Sequence, residues 1–207
     1  MRPFISLVVV LAATQLAGAG PMQITEWMYQ GANGEFVEFT NTGSTPVDMT
    51  GWSYDDDSAV PGTISLSGFG VVMPGQSVIM TESDPAAFRA AWGLSGVAVV
   101  SNGTTANLNR NDVINLFDNT GLLVDTLAYG DQTYPGTVRT QAKSCNIPAG
   151  DYGFTTAQTT WVLATVGDVY GSWASAGGDI GSPGRVPEPS TLVFLALGAI
   201  ALHRRWQ

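Results

Sequence analysis

The chain has 207 residues, 12% charged and 44% hydrophobic, enough for one domain with a core of its own. Its 17 acidic against 8 basic residues give a formal charge of −9, which repels phosphate backbones and argues against nucleic acid as a direct partner. With 25 Gly and 11 Pro, the composition favours short strands and frequent turns over helices.

Residues 1–19 read as a cleaved signal peptide. One Arg precedes the apolar run from Phe4 to Ala13, and Ala17-Gly18-Ala19 fits an A-x-A cleavage site, placing the cut between Ala19 and Gly20. The run is shorter than the ~20 residues that a membrane span needs.

The folded part is expected over residues 20–184. Gln23–Gln30 and Glu35–Thr40 read as two strands joined at Asn33-Gly34, a type I′ hairpin signal that asks for positive φ at both residues. In the second strand Val37 and Phe39 share one face, while Phe36, Glu38 and Thr40 share the other. Because each face carries an aromatic ring, the strand belongs in a layered structure. Gly51–Tyr54 starts a third strand that Asp55-Asp56-Asp57 ends, and Thr63–Leu66 is a short one. Pro74-Gly75 signals a type II turn before the strand Ser77–Thr81.

Asp84 to Trp92 predicts a helix, with Asp84 as N-cap, Pro85 at N1 and Gly93 as stop. Phe88 and Trp92 are four apart and should face the sheet. Val97–Val100 is a further strand. Asp112–Phe117 and Leu122–Tyr129 form a second hairpin around Asp118-Asn119-Thr120-Gly121, and Thr160–Ala164 is a late strand. Many short strands, two hairpins and one helix point to an all-β sandwich.

At the C-terminus, Val186-Pro187-Glu188-Pro189-Ser190 leads into the apolar run Thr191–Leu202 and then His203-Arg204-Arg205. A helix must start after Pro189, and the basic pair would stay cytoplasmic. In this order Pro187-Glu188-Pro189, the hydrophobic helix and the Arg cluster resemble the PEP-CTERM sorting tail of Gram-negative-type bacteria, over residues 186–207. The resemblance implies export, a transmembrane helix that anchors an intermediate in the inner membrane, and cutting near the motif by an exosortase-type enzyme. The destination it implies is the cell surface or extracellular polymer.

A second resemblance rests on Ile24-Thr25-Glu26, Glu35 to Asn41, Val47 to Trp52, Pro74-Gly75, Asp112-Val113-Ile114, Val124-Asp125, Tyr129-Gly130 and the closing Ser182-Pro183-Gly184. These follow the pattern of the lamin-tail domain over nearly the whole mature chain. It implies an immunoglobulin-like β-sandwich with one short helical insertion, used as an accessory or attachment module.

Chemistry is scarce. The only His is His203, in the tail, so the remaining chain has no imidazole for nucleophile activation or His-rich metal sites. No phosphate-cradling Gly loop is present. Glu26 and Glu38 sit on strands that the first hairpin brings together, the one arrangement left for a carboxylate-dependent hydrolase; as scaffold residues each would instead tie down a neighbour. Asp55 and Asp57 in the acidic loop invite calcium, with Asp48 or Asp131 as further ligands, although no EF-hand spacing is present. Trp27, Trp52 and Trp161 read as core, whereas Trp173 in a Gly-rich stretch is the best candidate for an exposed glycan platform. Lone Cys145 reads as a small buried apolar side chain.

The expectation is a non-enzymatic, exported adhesion or attachment module without a cofactor. Its partners would be the exosortase-type enzyme, the membrane before processing, and extracellular polysaccharide or surface proteins. The alternative is a carbohydrate-binding module of the same fold.

Overall fold

The computed structural model describes residues 20–130, 140–148 and 161–185. The expected signal peptide, its cut at Ala19 and the sorting tail from Val186 onward therefore lie outside the described residues, as does Asp131.

The strands in chain order are β1 (Met22–Met28), β2 (Phe36–Asn41), β3 (Val47–Asp48), β4 (Ser53–Asp55), β5 (Ile64–Ser65), β6 (Val71–Val72) and β7 (Ser77–Thr81). Helix α1 (Pro85–Trp92) follows. Then come β8 (Val99–Ser101), β9 (Asp112–Phe117), β10 (Leu123–Tyr129), β11 (Cys145–Asn146), β12 (Val162–Leu163), β13 (Trp173–Ala174) and β14 (Ile180–Gly181). Two sheets dominate: a six-stranded one in the order β12-β11-β1-β2-β7-β8 and a four-stranded one in the order β10-β9-β4-β5. Two-stranded pairs β13-β14 and β3-β6 complete the set. Among the described residues this is the immunoglobulin-like sandwich with one short α-helix and a single 3-10 turn at Ser67–Phe69. All the pairings between these strands are antiparallel except β7 with β8, whose parallel run needs a crossover, and α1 supplies it.

The local signals explain the best-defined elements. Asp84 Oδ1 accepts the N–H groups of Ala86 and Ala87 at 2.9 Å, Pro85 fills the first turn, and Gly93 closes α1 in the left-handed conformation at φ 64°. Gly75 (φ 73°) makes the turn in which the Gln76 N–H reaches the Met73 carbonyl. In the second hairpin the Gly121 N–H donates to the Asp118 carbonyl, and Asp118 Oδ1 accepts from Thr120 and Leu122.

The first hairpin forms, but not around a type I′ turn. Only Gly34 takes positive φ (86°), and its N–H donates to the Gly31 carbonyl, so the turn centres on Ala32 and Asn33. Asn33 is instead committed to Asp179, whose carboxylate accepts its backbone and side-chain N–H groups at 2.9 Å. The tertiary partner outweighs the local preference.

Register sets the faces. Ile24 pairs with Phe39 and Glu26 with Glu38, so Thr25 is an extra residue on β1, a β-bulge. Before it Met22 and Ile24 point into the sandwich core; after it Trp27 does, and Met28 turns to the opposite face. Val37 and Phe39 join the core between the sheets, where Trp27 stacks on Tyr129 at 4.1 Å. On the outer face of the six-stranded sheet, Phe36 packs edge-on against Phe88 and Trp92 of α1 at 5.5 and 5.9 Å. The sheet is thus covered on both sides, as the aromatic on each face of β2 requires. Asp125 Oδ2 accepts the Ile24 N–H at 2.9 Å and stitches one sheet to the other beside the bulge.

Candidate functional site

The bulge is also what positions Glu26. It turns this side chain to the outer face, opposite Glu38, and both are buried, at 0% and 1% exposure. Each then accepts from the segment that leads out of the domain. Glu26 Oε1 takes the Ser182 N–H at 2.7 Å and the Ser144 hydroxyl. Glu38 Oε2 takes the Gly184 N–H at 2.6 Å, and its Oε1 takes the Thr25 hydroxyl at 2.7 Å. Burial pushes both carboxyls well above the usual range, and the Glu38 charge adds to the rise at Glu26. Burial of the pair and the repulsion between its members both favour the neutral form. Glu26 Oε2 is buried without a hydrogen-bond partner among the described residues, which suits a neutral carboxyl. The two glutamates come together as the hairpin implied, but sealed under the C-terminal segment rather than facing a cleft. Their geometry ties down backbone amides.

The described carboxylates in and near the acidic loop have separate surroundings. Asp55 is buried, and its Oδ2 accepts the Ser58 hydroxyl and the Val60 N–H, both at 2.5 Å. Asp57 is exposed, and Asp48 Oδ1 is taken by Thr50. Among the described residues no three His, Cys, Asp or Glu side chains gather to hold a metal ion. Asp55 ends β4 and closes the loop, whereas Asp57 lies in the turn beyond the strand and meets solvent.

Trp27, Trp52 and Trp161 are core residues, at 2%, 8% and 3% exposure. Trp173 corrects the expectation of an exposed platform. It is half-buried, edge-on to Trp92 at 5.7 Å, with the Arg185 guanidinium 4.7 Å over its ring. Cys145 is buried in the core, and burial pushes its thiol up, away from the reactive thiolate.

The open cleft lies elsewhere, at the hairpin end of β1 and β2. Its volume is about 810 Å³. Buried Glu35 and Leu108 line it together with two hydrogen-bonded pairs, Asn107 with Glu82 at 3.3 Å and Gln30 with Gln141 at 2.7 Å; Tyr29, Asn109, Arg110 and Thr140 complete the lining. Glu35 is 4% exposed, and burial pushes its carboxyl up to about 8, with the Glu82 charge adding to it. Glu35 Oε2 accepts the Leu108 N–H at 2.7 Å, and Glu82 Oε1 accepts the Glu35 N–H at 3.1 Å. Sequence reasoning missed this cleft. The available signal was the asparagine-dense stretch from Asn102 to Asn111, which no strand or helix pattern claims.

With the sandwich and its carboxylates placed, comparison with protein families is decisive for the fold. A profile for the Lamin Tail Domain matches residues 15–131. The chain belongs to the lamin tail domain family. The matched span stops before β11, whereas the pattern read from the residues runs on to Ser182-Pro183-Gly184. In this lamin tail domain β11 and β12 extend the large sheet beyond β1, and the segment Ser182 to Gly184 closes its outer face. The PEP-CTERM protein-sorting motif matches residues 185–205, so the domain is exported, anchored in the membrane as an intermediate, and handed to an exosortase. Comparison with curated proteins returned no match.

Proposed function

We propose that this lamin tail domain is a non-enzymatic attachment module, displayed at the cell surface or in the extracellular polymer after exosortase processing. The observation that carries this reading is the fate of Glu26 and Glu38. The two carboxylates that the first hairpin brings face to face are sealed from solvent and hold the outgoing chain. A hydrolase needs such a pair flanking a substrate. A sandwich fastened in this way is suited to being presented, with its loops and cleft available to other surfaces.

The test is localisation coupled to adhesion. The chain should be detected by antibody on intact cells or in their extracellular polymer, and its deletion should reduce retention of cells in that polymer. A protein confined to the periplasm, or a deletion without effect on retention, would overturn the reading.

A further inference from the structure

We infer that the cleft at the hairpin end of β1 and β2 is a binding site for a neutral, hydroxyl-rich oligosaccharide. The inference rests on the attachment reading and names its ligand.

Four observations carry it. The first is chemistry. Sugar hydroxyls are met by planar amide and carboxyl groups that accept and donate in pairs, and this lining is built of them: Gln30, Asn107, Asn109 and Gln141 beside Glu35 and Glu82, with the Tyr29 ring among them. The second is charge. A formal charge of −9 over the chain, with Glu82 offsetting Arg110 in the cleft so that the lining carries no cationic excess, disfavours an acidic polymer.

The third is pre-organisation. Of the three described non-glycine residues with positive φ, two flank this cleft: Ala106 (φ 51°), beside Asn107, and Ala142 (φ 59°), beside Gln141. Alanine in that region costs about 1–2 kcal/mol, and such strain persists only where surrounding bonds enforce it. Here Tyr54 Oη donates to the Ala106 carbonyl at 3.1 Å, and the Ala142 N–H donates to the Gln30 carbonyl at 2.8 Å. These bonds hold the backbone beside Asn107 and beside Gln141 in place without a ligand. The fourth is direction. The C-terminal segment lies near the hairpin turn at Asp179, which holds Asn33, and reaches the level of Glu38 by Gly184. The outgoing chain moves away from the cleft end, leaving the cleft on a part of the domain that this segment does not cover.

Affinity electrophoresis of the exported protein tests this, with gels containing dextran, xylan or mannan and a parallel gel containing polygalacturonate. At least one neutral gel should retard the protein. Asn109→Ala and Gln141→Ala, lining residues from separate parts of the chain, should each weaken that retardation at least about fivefold, while Asp57→Ala, distant in sequence and exposed, leaves it unchanged. Thermal midpoints within a few degrees of wild type certify the variants as folded, and two variants in separate parts of the chain keep the test decisive if one misfolds. No retardation in any neutral gel, retardation only by polygalacturonate, or retardation indifferent to both variants would overturn the proposal. A protein that retains cells in their polymer yet passes these gels unretarded refutes the cleft and leaves attachment standing.

Discussion

Glu26 and Glu38 face each other across β1 and β2, and each carboxylate holds a backbone N–H of the same departing segment, Ser182 at 2.7 Å and Gly184 at 2.6 Å.

Their burial makes stability depend on pH in a definite direction. Unfolded, these carboxyls ionise near 4.5; folded, Glu26, Glu35 and Glu38 all ionise higher. Between those values the folded chain binds more protons, so its stability is full below about 4.5 and falls as pH rises toward 8. Each tenfold difference in proton affinity between the folded and unfolded chain is worth about 1.4 kcal/mol, and about 1 kcal/mol moves the midpoint by roughly 2–4 °C in a domain of this size. The thermal midpoint at pH 5 should therefore exceed that at pH 8 by about 5 °C or more. At Asp118 burial opposes ionisation but is outweighed by hydrogen bonds from Thr120, Leu122 and Gly121, and its lowered value works the other way in acid, where stability is lost as it protonates. Melting curves across pH 3–9 check the profile. A midpoint rising from pH 5 to 8, or a slope untouched by Glu26→Gln and Glu38→Gln, contradicts it.

Gly181 should not tolerate a methyl group. A Cβ there would lie 2.8 Å from Ser144 Oγ, 3.0 Å from Glu26 Oε1 and 3.2 Å from the Trp92 ring. Gly181→Ala is expected to lift the C-terminal segment, costing on the order of 1–3 kcal/mol as overpacking does. Faster exchange of the Ser182 and Gly184 amides is the readout. Unchanged protection would show that the segment accommodates the methyl.

The tryptophans should divide by burial. Trp27→Ala removes a ring stacked on Tyr129 in the core and should cost about 3–5 kcal/mol. Trp173→Ala, half-buried beneath Arg185, should cost clearly less. Urea midpoints of the two variants give the comparison, and equal losses would argue against the two environments described.

The acidic loop should ignore calcium. Calorimetric titration at millimolar Ca²⁺ is expected to give a flat isotherm. Asp55→Ala should destabilise the domain by about 1–3 kcal/mol through loss of a buried acceptor for Ser58 and Val60, whereas Asp57→Ala should stay within about 0.5 kcal/mol of wild type. A saturable heat that disappears in both variants would restore the metal.

What the residues disclose by themselves is governed by distance along the chain. The strand Ser77–Thr81, the strand Asp112–Phe117 and the helix Pro85–Trp92 were legible because alternation, caps and turn residues are local. The first hairpin was legible as a pair but not in its turn, because Asp179, far down the chain, decides the conformation of Asn33. The extra residue at Thr25 is invisible to an alternation argument, yet it sends Trp27 inward and Glu26 outward. Two-residue strands such as Cys145–Asn146 carry no period and exist because β1 offers an unpaired edge. The cleft was hidden for the same reason: Glu35, Leu108 and Gln141 come from three separate parts of the chain.

The fastening of Gly184 bears on how the domain meets its processing enzyme. Pro187 follows it three positions later, and a fully extended chain of that length covers at most about 11 Å. While Glu38 grips Gly184, Pro187 can stand no farther than that from its anchor point. The sorting motif is thus tethered to the folded domain by a link of three positions and not by a long leash.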